Sequence, residues 1–483
     1  MSWVLNIAYG LLLIAVSPVL VYRMLAFGKY RAGWRQKFLG MLPVRKSNRP
    51  CIWFHAVSVG EVLQLEPVLK SLQANRPDVE FLITTTTSTG HAVAREKFPQ
   101  HGLCYFPLDF SWSVSRAIRR IRPAAIVLVE LELWPNFILA AKRAGIPLTL
   151  INGRISERSF RGYRRIQPLM KRLLHCFHII AVQNETYADR LIQLGAPEQR
   201  IQVTGSIKFD RVESLRRNPQ TDELRQSFGI GDARVFIAGS TQDPEEQYAL
   251  DTWLTLQHEH PDLRLILVPR HKERFEQVAQ MVEKRGLPLI RRSAFLKAHQ
   301  TRVPYGLPGE GEAPAESVFT ANPVGGSAGA SPSQQKSDST QDNVGTGKPA
   351  VLLLDTLGEL SACWGLADIA FVGGSLTKRG GQNMIEPAAY GAAVLFGPNT
   401  QNFQDVVDSL LSRHAARVVR NPEHLTQTVR LLLESPEAAR KQGQLAQQLV
   451  FSQQGATRRT LHVITQLLPP TENGRSQPVL PAA

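Results

Sequence analysis

Cysteine is scarce in this sequence. Only Cys51, Cys104, Cys176 and Cys363 occur among 483 residues, and no two stand at CxxC spacing. That leaves no sequence case for a zinc ribbon or a disulfide framework and fits a reducing compartment. His55, His91 and His271 form neither HxxxH nor HExxH with a neighbour, so no metal is expected. His271, beside Arg270, reads instead as a hydrogen-bonding residue. The phosphate loop GxxxxGK[ST] is missing, which excludes a Walker-type nucleotide site. No zinc-finger, RRM or KH pattern accompanies the basic residues, so nucleic acid is not expected as a partner. No internal repeat is found either.

Positive charge is in excess. Lys and Arg number 56 against 41 Asp and Glu, a formal charge of +15. Such a surface favours anionic partners without choosing among them. The length suits two domains plus extras.

The amino terminus is almost free of charge from Trp3 to Leu25, with Arg23 the exception. A helix of that length roughly matches a bilayer core of about 30 Å. Trp3, Tyr9 and Tyr22 stand where interfacial aromatics occur. No basic residue precedes the run, unlike a signal peptide. Arg23, Lys29, Arg31, Arg35, Lys37, Arg45, Lys46 and Arg49 follow it. This one-sided charge places the rest of the chain on the cytoplasmic face. The segment 1–27 is therefore expected to be a membrane-anchor helix. Pro18 and modest hydrophobicity keep open a helix lying in the interface, and a buried core helix is the simpler third possibility.

Downstream, short apolar runs recur between helical stretches. They are Ile52–Val57, Phe81–Thr87, Ala125–Val129, Leu148–Ile151 and Ile179–Val182, then Val235–Ala238, Leu265–Val268, Val351–Leu354, Ile369–Val372 and Val394–Phe396. Near-continuous apolar strands alternating with helices predict parallel sheets covered on both faces. Two series predict an α/β chain with two Rossmann-like, doubly wound domains. Their expected bounds are 28–213 and 214–468. The stretch 301–348, rich in Gly, Ser, Pro, Ala and Gln, reads as a disordered insertion in the second domain, and 469–483 as a disordered tail.

Four polar segments end strands or joints in the first half. HAVSVGE at 55–61 puts Glu61 at a helix start on the carboxyl edge of the sheet, where open α/β sheets bind ligands. A carboxylate there can take a proton from a hydroxyl, although favourable contact with the helix dipole explains the position equally simply. ELELWPN at 130–136 puts Glu130 and Glu132 on one side if the strand continues. Pro135 suits the first turn of the next helix, for which the acids could merely be an amino-terminal cluster. NGRISERS at 152–159, continued by Arg161, Arg164, Arg165, Lys171 and Arg172, can receive phosphates or form a solvated basic face. GSIKFD at 205–210 offers Lys208 as a cation for a leaving group, or as an ordinary surface lysine.

In the second half, Pro269 and Arg270 close a strand, and Leu357-Gly358-Glu359 opens a helix. Gly373-Gly374-Ser375 closes another strand, and Gly380 to Glu386 opens the next helix. Glycines at such turns let backbone amides approach a phosphate, and Glu386 can accept from ribose hydroxyls. Several such ends in one domain favour a nucleotide site over isolated tight turns.

In this order, HAVSVGE, ELELWPN, NGRISERS, QNE at 183–185, TGSIKFD at 204–210, LVPRHKERF at 267–275, DTLGEL at 355–360 and ADIAFVGGSLTKRGGQNMIEPAA at 367–389 resemble the Kdo (3-deoxy-D-manno-octulosonic acid) transferases of glycosyltransferase family 30. The resemblance runs from the amino-terminal segment to about residue 460. It implies a GT-B fold, with acceptor on the first domain, donor on the second and a cleft between them. It also implies an inverting transferase of the bacterial inner membrane, working on the cytoplasmic face beside anionic lipids. Kdo would pass from CMP-Kdo to a lipid A precursor (lipid IVA), in lipopolysaccharide synthesis. By the same resemblance Glu61 is the general base, and Glu130 and Lys208 stabilise the transition state. Pro269, Arg270, Leu357, Gly358, Glu359, Asn383, Met384, Ile385 and Glu386 contact CMP, which is a substrate moiety; no cofactor and no metal are implied. Two departures stand out. Met384 replaces a proline common in the family, which a backbone contact would survive. The 301–348 insertion is also long. Rival expectations are a GT-B enzyme using a UDP-sugar and a catalytically silent nucleotide or lipid sensor.

Overall fold

A computed structural model describes residues 2–27, 32–300 and 350–468. The expected insertion at 301–348 and the tail at 469–483 lie outside the described residues. The chain divides into two units: Met1–Val212 joined by the segment from Val450, and Glu213–Leu449.

The first unit holds one parallel sheet of seven described strands. They are β1 (Cys51–His55), β2 (Glu80–Thr85), β3 (Gly102–Tyr105), β4 (Ala125–Val129), β5 (Leu148–Gly153), β6 (Ile179–Val182) and β7 (Ile201–Val203). Their order is β3-β2-β1-β4-β5-β6-β7. Both β1 and β4 are buried along their whole length, as strands covered on two faces must be. Their side chains alternate between two cores: Trp53, Ile126 and Leu128 join one, while Phe54, Val127 and Val129 join the other. The order reverses between β1 and β4, which makes their carboxyl ends the switch point where ligands bind in such sheets.

The second unit holds β8 (Arg234–Thr241), β9 (Leu263–Pro269), β10 (Leu289–Arg291), β11 (Val351–Leu353), β12 (Ile369–Val372), β13 (Ala393–Phe396) and β14 (Ala416–Val418). All pairings are parallel, in the order β10-β11-β9-β8-β12-β13-β14. Here the switch point lies between β8 and β12. The two parallel-sheet domains expected from the apolar runs are thus present. Strands β3, β7, β10 and β14 had no matching run, and each is a sheet edge. Edge strands are short and shielded on fewer sides, so their sequences need not be apolar.

One boundary differs from expectation. The helix Ala456–Thr465, assigned above to the second domain, packs on the helix Val59–Asn75 of the first unit. Ala456, Ile464 and Leu468 enter the same core as Val62 and Leu65. Asp210 caps it, accepting the N–H of Gly455 at 2.7 Å and that of Thr457, while Arg459 donates to the Thr204 carbonyl at 2.8 Å. An amphipathic pattern announces such a helix but not which sheet it covers.

The amino-terminal segment forms a helix, Ser2–Phe27, as expected. Among the described residues no helix is long and apolar enough to cross a membrane. Asn6, Gly10, Ser17 and Pro18 interrupt the apolar run of Ser2–Phe27. The helix is tied down at one end. Asn6 donates to Ser111 Oγ at 2.7 Å and accepts the Ser111 N–H at 3.0 Å, and Tyr9 donates to Asp109 at 3.0 Å. Asp109 also receives the N–H groups of Asn136 and Phe137, yet burial still pushes its carboxyl up to about 6. Beyond this clamp Leu11, Leu12, Ile14 and Leu25 are exposed.

Candidate functional site

In the first unit the polar segments gather at the switch point. Glu61 lies in the first turn of the helix Val59–Asn75, which Ser58 caps. Its carboxylate accepts the Ser58 hydroxyl at 2.7 Å and the Val57 N–H at 2.8 Å, and the residue is 7% exposed. Burial raises the Glu61 carboxyl above its ordinary range, the bonds from Ser58 and Val57 oppose this, and the nearby Glu130 charge adds to it.

Strand β4 stops at Val129 because Glu130 takes a left-handed backbone, φ 58°. The pleat therefore does not continue, and Glu130 and Glu132 are not alternate residues of one strand. They still converge. Burial raises the Glu132 carboxyl to about 7, the Glu61 and Glu130 charges push it the same way, and the Trp134 indole bond at 3.0 Å opposes them. Tyr163, also raised, first by burial, feels the Glu132 charge. Gln64 and Asn152 complete the cluster. Gln64 donates to Glu130 at 3.4 Å, and Asn152 donates to Gln64 and accepts the Ile207 N–H at 3.3 Å. The sequence singled out Glu61 and Glu130. Glu132 was visible as the second acid of the pair, whereas Gln64 and Tyr163 gave no signal.

Lys208 lies on a short turn of helix, Ile207–Arg211, half-buried. That turn is held by the Asp210 cap and by the Asn152 bond to Ile207. Asn152 thus links the Lys208 turn to the acid cluster through Gln64. The basic run forms two helices, Glu157–Arg164 and Gln167–Leu174, with Arg158, Arg164, Arg165, Lys171 and Arg172 exposed. His55 is fully buried, stacked on Phe106, and pushed down to about 3 by burial, so it is a neutral packing residue. Among the described residues no three His, Cys, Asp or Glu side chains form a group that could hold a metal ion.

In the second unit the expected nucleotide segments share the carboxyl edge. Pro269 ends β9, and Arg270 is exposed beyond it. Leu357 is exposed and Gly358 has φ 90°, which a side chain would oppose. The Glu359 carboxylate is already engaged. Arg292, itself buried, donates to it from Nε at 3.1 Å and Nη2 at 2.7 Å, and Thr356 donates as well. Burial pushes the Glu359 carboxyl up, but these bonds outweigh it and hold it low. Asn383 donates to Glu386 at 2.8 Å and accepts the Ile385 N–H at 3.1 Å, fixing the start of the helix Ile385–Ala389. Met384 is fully buried.

The Gly373-Gly374-Ser375 turn differs from its sequence reading. Its amides do converge, but on a carboxylate of the protein itself. Glu245, fully buried, accepts the N–H groups of Gly374 (2.6 Å), Ser375 (3.0 Å) and Leu376 (2.9 Å), and of Gln242 (3.0 Å). A phosphate cannot use these donors while Glu245 fills them.

Two Rossmann-like units, each with polar segments on its carboxyl edge, make up a GT-B-like fold. The solved structure of UDP-GlcNAc 2-epimerase from Neisseria meningitidis bound to UDP-GlcNAc shares the fold, with a TM-score of 0.54 at 11% identity over 86% of this chain and 100% of that one. Within that fold the comparisons narrow further. The family model described as 3-deoxy-D-manno-octulosonic-acid transferase (kdotransferase) matches residues 32–211. The 3-deoxy-D-manno-octulosonic acid transferase of Haemophilus influenzae is 31% identical over 415 residues, covering 86% of this chain and 86% of the relative. That of Chlamydophila psittaci is 28% identical, covering 87% of this chain and 86% of the relative. The chain belongs to the 3-deoxy-D-manno-octulosonic acid transferase family, which are glycosyltransferases.

Proposed function

We propose that this chain transfers Kdo from CMP-Kdo to a lipid A precursor, with inversion, using Glu61 as the general base. The observation that carries this reading is the acid cluster at the β1/β4 switch point, in which Glu61 is buried beside the half-buried Glu130 and Glu132. A base gains from a raised proton affinity, and burial, with the Glu130 charge beside it, raises that of Glu61. Inversion needs one in-line displacement, so no enzyme nucleophile is required. Glu61 takes the acceptor proton as the hydroxyl oxygen bonds to the anomeric carbon and the bond to CMP breaks. Lys208 and Glu130, tied together through Asn152 and Gln64, stabilise the charges that develop.

On the donor side Arg270 and the segments 357–359 and 383–386 hold CMP. Glu359 and Glu386 act there as orienting groups, because their carboxylates are bonded to Arg292 and Asn383. The leaving group carries one phosphate, whose charge arginine and backbone amides can balance. The exposed basic helices 157–174 and the apolar helix Ser2–Phe27 lie against the anionic cytoplasmic face of the inner membrane, the helix in the interface rather than through it.

The test uses purified protein, CMP-Kdo and a tetraacylated lipid A precursor. CMP release together with an acceptor mass gain of Kdo is expected. Absence of both overturns the proposal, and tighter protection by UDP than by CMP would assign a different donor.

A further inference from the structure

A cavity of about 540 Å³ opens in the second unit, and none of its lining residues is among those assigned to CMP. Its walls come from the ends of three strands. Gln242 and Asp243 follow β8, His271 and Arg274 follow β9, and Thr377, Lys378 and Arg379 follow β12. Because β8 and β12 are the neighbours at which strand order reverses, the cavity stands at this sheet's switch point. Its volume lies in the range of small-molecule sites.

The charges in it fall into two groups. Arg274 is committed, with Asp243 at 3.3 Å and Glu246 at 3.1 Å. Lys378 and Arg379 are exposed and hold no side-chain ion pair among the described residues. The Thr377 hydroxyl oxygen is buried and has no hydrogen-bond partner. An orphaned hydroxyl beside two uncommitted cations asks for an anionic, oxygen-rich ligand. Glu245 sets the geometry, because its grip on the amides of Gly374, Ser375 and Leu376 fixes the chain just before Thr377.

We propose that this cavity binds the carboxylate of the donor's sugar acid, through Thr377, Lys378 and Arg379. The inference rests on the donor reading above and extends it. Kdo carries its carboxylate on the anomeric carbon itself, so holding that group orients the carbon for in-line attack. CMP has a phosphate but no such carboxylate, and the two anions can be told apart.

Equilibrium binding of CMP and of CMP-Kdo is measured on the full chain and on two variants, Lys378→Met/Arg379→Met and Thr377→Val. Loss of charge-assisted bonds should weaken CMP-Kdo about tenfold or more in the double variant, and less in Thr377→Val, with CMP affinity unchanged. Equal weakening of both ligands would place the nucleotide phosphate in the cavity and overturn the assignment. So would unchanged binding of both. All three positions line an open cavity, and melting curves confirm that the variants fold. Turnover of the unaltered protein is scored separately. Binding of CMP-Kdo without transfer would sink the transferase reading and leave the cavity assignment to the variants, whereas failure to bind CMP-Kdo would overturn both.

Discussion

Glu130, just past β4, and Asn152, one residue before the end of the neighbouring strand β5, share a left-handed backbone, φ 58° and 52°, and Gln64 joins their side chains. For residues with a Cβ this conformation costs about 1–2 kcal/mol each. Such strain persists where surrounding bonds over-determine it, and it concentrates at functional sites. Asn152→Ala removes the bonds to Gln64 and to the Ile207 amide while keeping the strained backbone. It should lower stability by about 2–4 kcal/mol in urea unfolding. Asn152→Gly should recover about 1 kcal/mol of that. Both should slow Kdo transfer about tenfold or more, and an alanine variant with undiminished turnover would remove the bridge from the mechanism.

Glu245 makes a second expectation testable. Its carboxylate fills a nest of four amides, so Glu245→Ala strands buried donors and should cost about 3–5 kcal/mol. The vacated nest has the form of a phosphate site. Millimolar inorganic phosphate should therefore raise the melting temperature of Glu245→Ala more than that of the unaltered protein. Equal responses would mean that the nest collapses rather than opens.

These two features show what the sequence could and could not convey. Central strands were legible because a strand buried on both faces must be apolar throughout, as Ala125–Val129 and Ile369–Val372 are. Edges such as β10 and β14 carry no such requirement. Glu61 was legible because the segment HAVSVGE follows a strand and opens a helix, which puts that residue on the carboxyl edge of the sheet. The filling of the Gly373–Ser375 turn was not, since Glu245 lies far away along the chain and only folding brings it there. The same holds for Arg292 and Glu359, and for the carboxyl-terminal helix, whose apolar face fits more than one sheet.

Arg292 organises the Leu357–Glu359 turn from beneath. It is nearly inaccessible, and its Nη2 also reaches Glu223 at 2.6 Å. Arg292→Met leaves Glu359 without its main partner, so the turn should loosen. CMP affinity is expected to fall about five- to tenfold, with stability lower by about 3 kcal/mol. Isothermal titration with CMP and denaturant unfolding check both, and unchanged CMP binding would remove this turn from the nucleotide site.

The helix Ser2–Phe27 exposes apolar side chains beyond its Asn6 and Tyr9 clamp. If it lies in an anionic interface, Leu11→Glu/Ile14→Glu should cut flotation with phosphatidylglycerol vesicles severely, because each buried aliphatic side chain contributes about 1.5–3 kcal/mol. The basic helices 157–174 should add a salt-sensitive component. Equal flotation of the double variant and the unaltered protein at high salt would contradict interfacial binding by this helix.

Glu132 ties the acid cluster to pH. An unfolded glutamate titrates near about 4.3, while burial and the neighbouring carboxylates bring the folded one to about 7. Between these values the folded state holds the extra proton. The group's contribution to stability is therefore complete at low pH and is lost as pH rises through the window. Glu132→Gln mimics the protonated form and keeps an acceptor for the Trp134 indole. The variant should match the unaltered protein near about pH 5 and exceed it by about 1–2 kcal/mol near pH 8, after allowance for solvent screening of a partly exposed group. His55, buried and neutral, opposes folding as pH falls below about 6.5, but equally in both proteins, so the difference isolates Glu132. Activity gives an independent reading. The Glu61 charge helps to raise Glu132, so Glu61 ionises while Glu132 is still protonated, and Glu132→Gln should leave the acid limb of the kcat/KM profile in place. The Glu130 charge raises Glu61, so Glu130→Gln should move that limb to lower pH, and an unmoved limb in Glu130→Gln would mean that the base has to be sought elsewhere in the cluster.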